Sequence, residues 1–137
     1  MIKVLLADDQ SLVRSGFRML IDSADDMETV GEVSNGADAV TVVKTQPVDV
    51  VLMDIRMPVM DGTEATRQIT ELGGDTKVLV LTTFDLDEYV FAALRNGASG
   101  FLLKDALPDD LLGAIRTVAR GGAVVAPTAT RRLLDHV

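Results

Sequence analysis

Five short apolar runs, separated by stretches with helical spacing, recur along this chain: Lys3–Ala7, Thr29–Val33, Val48–Met53, Lys77–Leu81 and Gly100–Leu103. The third, apolar except for Asp49 and rich in valine, is too short for a free-standing helix and reads as a strand buried on both faces. After the first run, Gln10–Ser23 puts Leu12, Val13, Phe17, Leu20 and Ile21 at helical spacing. A second helical stretch begins at Ser34-Asn35-Gly36 and runs to about Thr45, before Pro47 ends it. Thr63–Leu72 reads as a third helix, closed by Gly73-Gly74. The fourth begins at Asp85, three residues before Glu88 as in a capping box, and ends at Asn96-Gly97. Pro108 stands in the first turn of the last helix, with Asp109 and Asp110 where a helix dipole favours negative charge. Leu111, Leu112, Ile115, Val118 and Ala119 form its apolar stripe, and Gly121-Gly122 stop it.

Strands alternating with helices over short connections imply an α/β fold: a five-stranded parallel sheet, helices on both faces, right-handed crossovers. The flavodoxin-like order 2-1-3-4-5 fits, and its ligand crevice lies beyond the carboxyl ends of the first and third strands. Asp8-Asp9 close the first run and Asp54 the third. The topology therefore brings three carboxylates to the crevice.

Composition narrows the function classes. A chain of 137 residues, 47% hydrophobic, has the size of one domain with an ordinary core. Its formal net charge of -8, with scattered Lys and Arg, argues against this chain alone gripping a nucleic-acid backbone. It has no cysteine, hence neither a disulfide framework nor a thiolate metal site. No run approaches the roughly 18 apolar residues of a membrane span, and the first residues enter a strand pattern without a signal peptide. The expected location is cytoplasmic.

Asp8, Asp9, Asp54, Thr82 and Lys104 stand where apolar runs end. Each has an ordinary reading: an Asp pair can cap the following helix, and Lys104 and Asp54 can neutralise each other as a structural ion pair. Together they suit a divalent cation beside a phosphoryl group. Mg²⁺ takes oxygen ligands in octahedral geometry, usually one or two carboxylates with water and phosphate oxygens. Asp9 and Asp54, with a backbone carbonyl and water, provide that set, and Asp8 binds directly or orients the waters. Asp54 can then attack phosphorus as a carboxylate nucleophile, while Lys104 and the Thr82 hydroxyl hold the phosphoryl oxygens.

From Lys3 to about Gly121 the chain resembles a response-regulator receiver domain of two-component signalling. The matching segments are Leu6-Ala7-Asp8-Asp9-Gln10, Val51-Leu52-Met53-Asp54-Ile55, Met57-Pro58-Val59-Met60-Asp61-Gly62, Leu81-Thr82-Thr83, and Gly97-Ala98-Ser99-Gly100-Phe101-Leu102-Leu103-Lys104. The resemblance implies that Asp54 is the phosphoacceptor and that Asp8, Asp9, Asp54 and the backbone carbonyl of Arg56 hold Mg²⁺. It makes Thr82 the switch hydroxyl, Thr83 the small neighbour that leaves access to phosphorus, and Lys104 the phosphate-binding ammonium. Phe101 matches the switch aromatic; an ordinary core aromatic is the other reading. Arg56 and Phe84, two residues beyond the phosphoacceptor and the switch threonine, are neither acids nor amides. A fairly long-lived phosphorylated state shielded by Phe84 is the expectation, against loop residues with no kinetic role.

The phosphoryl donor implied is a sensor histidine kinase or a small acyl phosphate, because His136, the only histidine, lies in the tail away from any acidic cluster. Phosphorylation implies a homodimer, through either the first and fifth helices or the fourth-strand to fifth-helix face. Residues 1–122 are the expected receiver. Residues 123–137 resemble the linker, or the start of a C-terminal helix, leading to a helix-turn-helix DNA-binding domain outside this chain in NarL/FixJ-type transcription regulators. A complete single-domain regulator is the alternative.

Rival classes fit less well. A metal-dependent phosphohydrolase with an aspartate nucleophile needs an acid for the leaving group and a covering segment. Asp54-Ile55-Arg56 offers no acid two residues on, and the length leaves little room for a cap. Neither G-x-G-x-x-G nor a Walker A sequence occurs. A receiver-like module without phosphorylation stays open. The expected protein is a switch catalysing only its own phosphorylation and dephosphorylation, rather than an enzyme acting on other substrates.

Overall fold

A computed structural model describes residues 1–83 and 88–125. In chain order these form β1 (Ile2–Ala7), α1 (Ser11–Asp22), β2 (Met27–Val33), α2 (Gly36–Thr45), β3 (Val50–Asp54), α3 (Gly62–Glu71), β4 (Lys77–Thr82), α4 (Glu88–Arg95), β5 (Gly100–Leu103), α5 (Pro108–Ala119) and β6 (Val124–Val125). The strands make one sheet in the order β2-β1-β3-β4-β5-β6, every pairing parallel. The first five strands follow the order 2-1-3-4-5 expected from the sequence. The capping box expected at Asp85, the Phe84 shield and the tail beyond 125, including Arg131, Arg132 and His136, lie outside the described residues.

Several bounds differ from the sequence reading: β2 begins at Met27 rather than Thr29, and α3 spans Gly62–Glu71 rather than Thr63–Leu72. Val124–Val125, within the stretch read as linker, add a short sixth strand beside Gly100 and Phe101. Gly100 makes this possible, since a Cβ there would lie 1.9 Å from the Val124 carbonyl oxygen. The third strand begins at Val50 rather than Val48. Asp49 explains the shift: its carboxylate accepts the Lys3 N–H at 2.8 Å, and its own N–H donates to the Lys3 carbonyl at 2.8 Å. The polar residue inside an apolar run thus ties the start of β1 to the start of β3.

Strand alternation decides which helix covers which face. Leu5, Ala7, Val51, Met53, Val78, Val80 and Phe101 pack with Ala39, Val40, Ala65, Ile69, Val90 and Ala93, so α2, α3 and α4 cover one face. Val4, Leu6, Val50, Leu52, Leu79, Leu81 and Leu102 pack with Ile21, Leu111, Ala114, Ile115 and Val118, so α1 and α5 cover the other. Residues 50–53 are buried on both faces, as a central parallel strand requires. No helix among the described residues is long and apolar enough to cross a membrane.

The helix ends carry the expected chemistry where it is described. The Asn35 side chain accepts from the Asp38 N–H at 2.8 Å, and Asp61 from the Glu64 N–H at 2.9 Å. Gly121, past the end of α5, takes φ 89°, the left-handed conformation common after a helix. These caps place the β-to-α loops together at the carboxyl edge of the sheet, where the polar residues converge.

Candidate functional site

Neighbouring strands set the height of the carboxylates. Ala7 pairs with Met53 across β1 and β3, so Asp8 and Asp54, the next residues, stand level at the edge. The Asp8 N–H still donates to Val33 at 3.1 Å, and its Oδ1 accepts the Gln10 N–H at 2.9 Å, which closes the turn into α1. Gln10 is the N-cap residue of α1, and neither Asp8 nor Asp9 occupies that position, against the capping alternative. Asp8 is 3% and Asp54 7% exposed, while Asp9 is exposed. Their carboxylate oxygens lie within 4.8 Å of one another.

Lys104 answers this charge from β5. Its N–H donates to the Thr82 carbonyl at 2.8 Å, which fixes the main chain just beyond β4 and β5. From there Nζ reaches Asp8 Oδ2 at 2.9 Å, Asp54 Oδ1 at 3.3 Å and Gln10 Oε1 at 3.4 Å. Asp8 Oδ2 is buried and has no aligned hydrogen bond, so its attraction to Lys104 is one of charge rather than of directed bonding. Burial pushes the Asp54 carboxyl up from 3.8 to about 6, Asp8 and Asp9 add repulsion, and Lys104 pulls the other way. Burial alone lowers the Lys104 ammonium, but the Asp8 and Asp54 carboxylates outweigh it and raise its pKa.

Lys104 therefore pairs with two of the three clustered carboxylates, Asp8 and Asp54. The donor set is all oxygen, and two of its members are buried. It fits a hard divalent cation. Beside it opens a pocket of about 240 Å³ lined by Asp9, Gln10, Asp54, Ile55, Arg56, Thr82, Thr83 and Lys104. At about 30 Å³ per water, that holds a hydrated cation and a phosphoryl group.

Among the described residues, the structure brings Asp9, Asp54, Arg56, Thr82, Thr83 and Lys104 to one pocket, with Asp8 beside it against Lys104. Thr82 is 5% exposed at the end of β4, Thr83 is exposed beside it, and Arg56 follows β3 at the rim. Phe101 stands apart: it is fully buried against the face that carries α4, in one cluster with Val90 and Ala93. Gln10, to which the sequence assigned no role beyond the matching segment and the start of a helix, lines the pocket and touches Lys104. Its place directly after two acids at a strand end was the available signal.

Gly62 opens α3 against the end of β3. It does not adopt a positive φ; a Cβ there would lie 2.0 Å from the Asp54 carbonyl oxygen. Its N–H donates to the Ile55 carbonyl at 2.7 Å, holding α3 against the end of β3. Absence of a side chain, rather than backbone freedom, is what the position needs.

This edge belongs to a known class: the sequence profile of the response regulator receiver domain matches residues 4–116, and the chain is a member of that family. Its relatives make it a receiver of the NarL type, from two-component signalling. It is 46% identical over 135 residues to the transcriptional regulatory protein YxjL of Bacillus subtilis (strain 168), covering 98% of this chain and 62% of that protein. Against the oxygen regulatory protein NreC of Staphylococcus carnosus (strain TM300) identity is 42%, with the same two coverages of 98% and 62%. Among solved structures, the signal receiver domain of NarL from Mycobacterium tuberculosis superposes with a TM-score of 0.84 at 34% identity, covering 88% of this chain and 97% of that one. The response regulator ChrA of a heme-sensing two-component system gives 0.83 at 40%, covering 99% and 65%. The chain spans about three fifths of the length of the curated relatives it matches, 62% in both cases.

Proposed function

We propose that this chain is a phosphorylation-activated switch in which Asp54 receives a phosphoryl group from a sensor histidine kinase or a small acyl phosphate. The observation that carries the reading is the meeting of three carboxylates within 4.8 Å with Lys104 Nζ 3.3 Å from Asp54 Oδ1, on an open pocket. A carboxylate oxygen of Asp54 forms the bond to phosphorus as the donor's bond to phosphorus breaks, and the donor leaves with the electron pair. Asp8, Asp9, Asp54 and the Arg56 backbone carbonyl are the residues to hold Mg²⁺. When bound, Mg²⁺ offsets the charge that accumulates on the transferring group. Lys104 and the Thr82 hydroxyl stabilise the phosphoryl oxygens, and exposed Thr83 leaves the approach open.

Output follows from coupling between Thr82 and Lys104. Their main chains share a hydrogen bond of 2.8 Å, so drawing either toward the phosphoryl group moves the other. Phe101 lies on β5, three residues before Lys104, in a cluster that includes Val90 and Ala93 of α4, so the population of α4 packings shifts. A changed face favours a homodimer. The name of the relative YxjL, a transcriptional regulatory protein, supports transcription regulation as the output; action through a DNA-binding region outside this chain, in the cytoplasm, is part of the same proposal.

Intact-mass measurement after incubation with Mg²⁺ and acetyl phosphate tests the proposal. One phosphate on the native chain, absent with EDTA and in Asp54→Asn, is expected. Equal gain by both proteins removes Asp54 from the role. Catalytic turnover of a phosphate monoester by stoichiometric protein transfers the site to the hydrolase class instead.

A further inference from the structure

The turn that carries Asp8 and Asp9 is gripped from outside the pocket by a single side chain. Arg14, in α1, donates from Nη1 to the Asp8 main-chain carbonyl at 2.5 Å and from Nε to Glu32 Oε1 at 3.3 Å. Glu32 Oε2 in turn accepts from Arg18 Nη1 at 2.6 Å. Glu32 sits opposite Leu6 in the β1–β2 register, on the face that α1 covers, which is why two arginines one turn apart in α1 both reach it.

We propose that Arg14 is a positioning residue for the metal site: its guanidinium locks the Asp8 carbonyl and so fixes the direction in which the Asp8 and Asp9 carboxylates project. This rests on the reading above that those carboxylates hold Mg²⁺. A surface ion pair usually contributes little, but the Arg14 side chain is only 19% exposed and Glu32 24%. One of its two bonds ends on the backbone of a proposed ligand.

Charge and geometry act in opposite senses. As a cation near the carboxylates, Arg14 weakens Mg²⁺ binding; as a clamp, it strengthens binding by removing the freedom of the turn. Glu32 largely cancels the charge, leaving the clamp as the larger effect. Lysine keeps the charge but lacks a planar fork able to serve both acceptors at once. The two effects therefore separate in Arg14→Ala and Arg14→Lys.

The test uses the full chain, with Mg²⁺ affinity from titration calorimetry and amide hydrogen exchange at Asp9 and Gln10 in metal-free protein. Arg14→Ala is expected to bind Mg²⁺ about tenfold more weakly, the lower end of what outer-shell partners are worth. Arg14→Lys is expected to fall between it and wild type, and Glu32→Gln to weaken binding in the same direction. Exchange at Asp9 and Gln10 should quicken in Arg14→Ala. Equal or tighter binding by Arg14→Ala, or full wild-type affinity in Arg14→Lys, overturns the proposal. If Arg14→Ala does not fold, Arg14→Lys and Glu32→Gln decide by the same readings. Wild-type protein that fails to bind Mg²⁺ removes the underlying reading as well, a result distinct from a variant that binds normally.

Discussion

Lys104 Nζ stands 3.3 Å from Asp54 Oδ1, and both side chains are largely withdrawn from solvent, at 13% and 9% exposure. An ammonium held so close is the attraction that opposes burial and the Asp8 carboxylate in setting the Asp54 pKa. It prepares the edge for an anion: the same nitrogen that now balances two aspartates is within reach of a group attached to one of them.

Removing that ammonium should leave Asp54 harder to ionise. In Lys104→Gln the carboxyl is expected to titrate above the value of about 6 that it has with Lys104 present. Carbon-13 NMR titration of labelled aspartate side chains in metal-free protein reads this directly. A value unchanged from wild type means that Lys104 does not neighbour Asp54 in solution.

The raised carboxyl also makes metal-free stability depend on pH. The unfolded chain carries Asp54 near 3.8 and the folded chain near 6, so the folded state holds its proton longer. This contribution is fully present below the unfolded value and is lost as pH rises through about 6. Asp54→Asn has no such proton. Discounted for solvent access to the pocket, the variant's stability relative to wild type should rise by about 1–2 kcal/mol between about pH 4 and pH 7. Urea unfolding without metal, at a series of pH values, measures it; parallel curves for the two proteins contradict the assignment.

Protons and Mg²⁺ compete for the same oxygens. Apparent Mg²⁺ affinity is expected to level off above about pH 7 and to fall toward tenfold per unit below about 6, where Asp54 takes up its proton. Calorimetric titration in buffers of different ionisation heat also reports the protons released. Binding that is independent of pH across this range, with no protons released, excludes Asp54 as a ligand.

Much of this was legible in the sequence because the signals were local. Runs such as Val50-Val51-Leu52-Met53 are apolar on both faces, and their shortness and valine content favour a central strand over a buried helix. Asp8, Asp54 and Lys104 then follow from strand order, since each stands at the carboxyl end of a run in one parallel sheet. The less legible features depend on what approaches from far along the chain. Asp49 looked like an interruption until Lys3 was seen to donate to it. Val124 and Val125 pair with β5 because Gly100 lets them approach, a relation between positions with no shared spacing. Arg14 and Glu32 meet only after α1 lies across β2, so neither stands out beforehand.

Glycine contrasts give the sharpest local test of the site's scaffold. Gly62 starts α3 with its Cα against β3: an added Cβ meets the Asp54 carbonyl oxygen at 2.0 Å and Met53 Cγ at 2.9 Å. Backbone cannot yield as a side-chain tip can, so Gly62→Ala must shift α3 or the end of β3. Overpacking of this kind costs about 1–3 kcal/mol. The displaced atom belongs to the proposed phosphoacceptor itself, so phosphorylation should slow along with the loss of stability. Gly113 lies within α5 with nothing within 4 Å of its would-be Cβ. There alanine only reduces the freedom of the unfolded chain and favours helix, so Gly113→Ala should stabilise by about 0.5–1 kcal/mol with phosphorylation unchanged. Chemical unfolding and acetyl phosphate kinetics on the two variants read both axes. A Gly62→Ala protein as stable and as reactive as wild type means that α3 does not hold the end of β3 in this way.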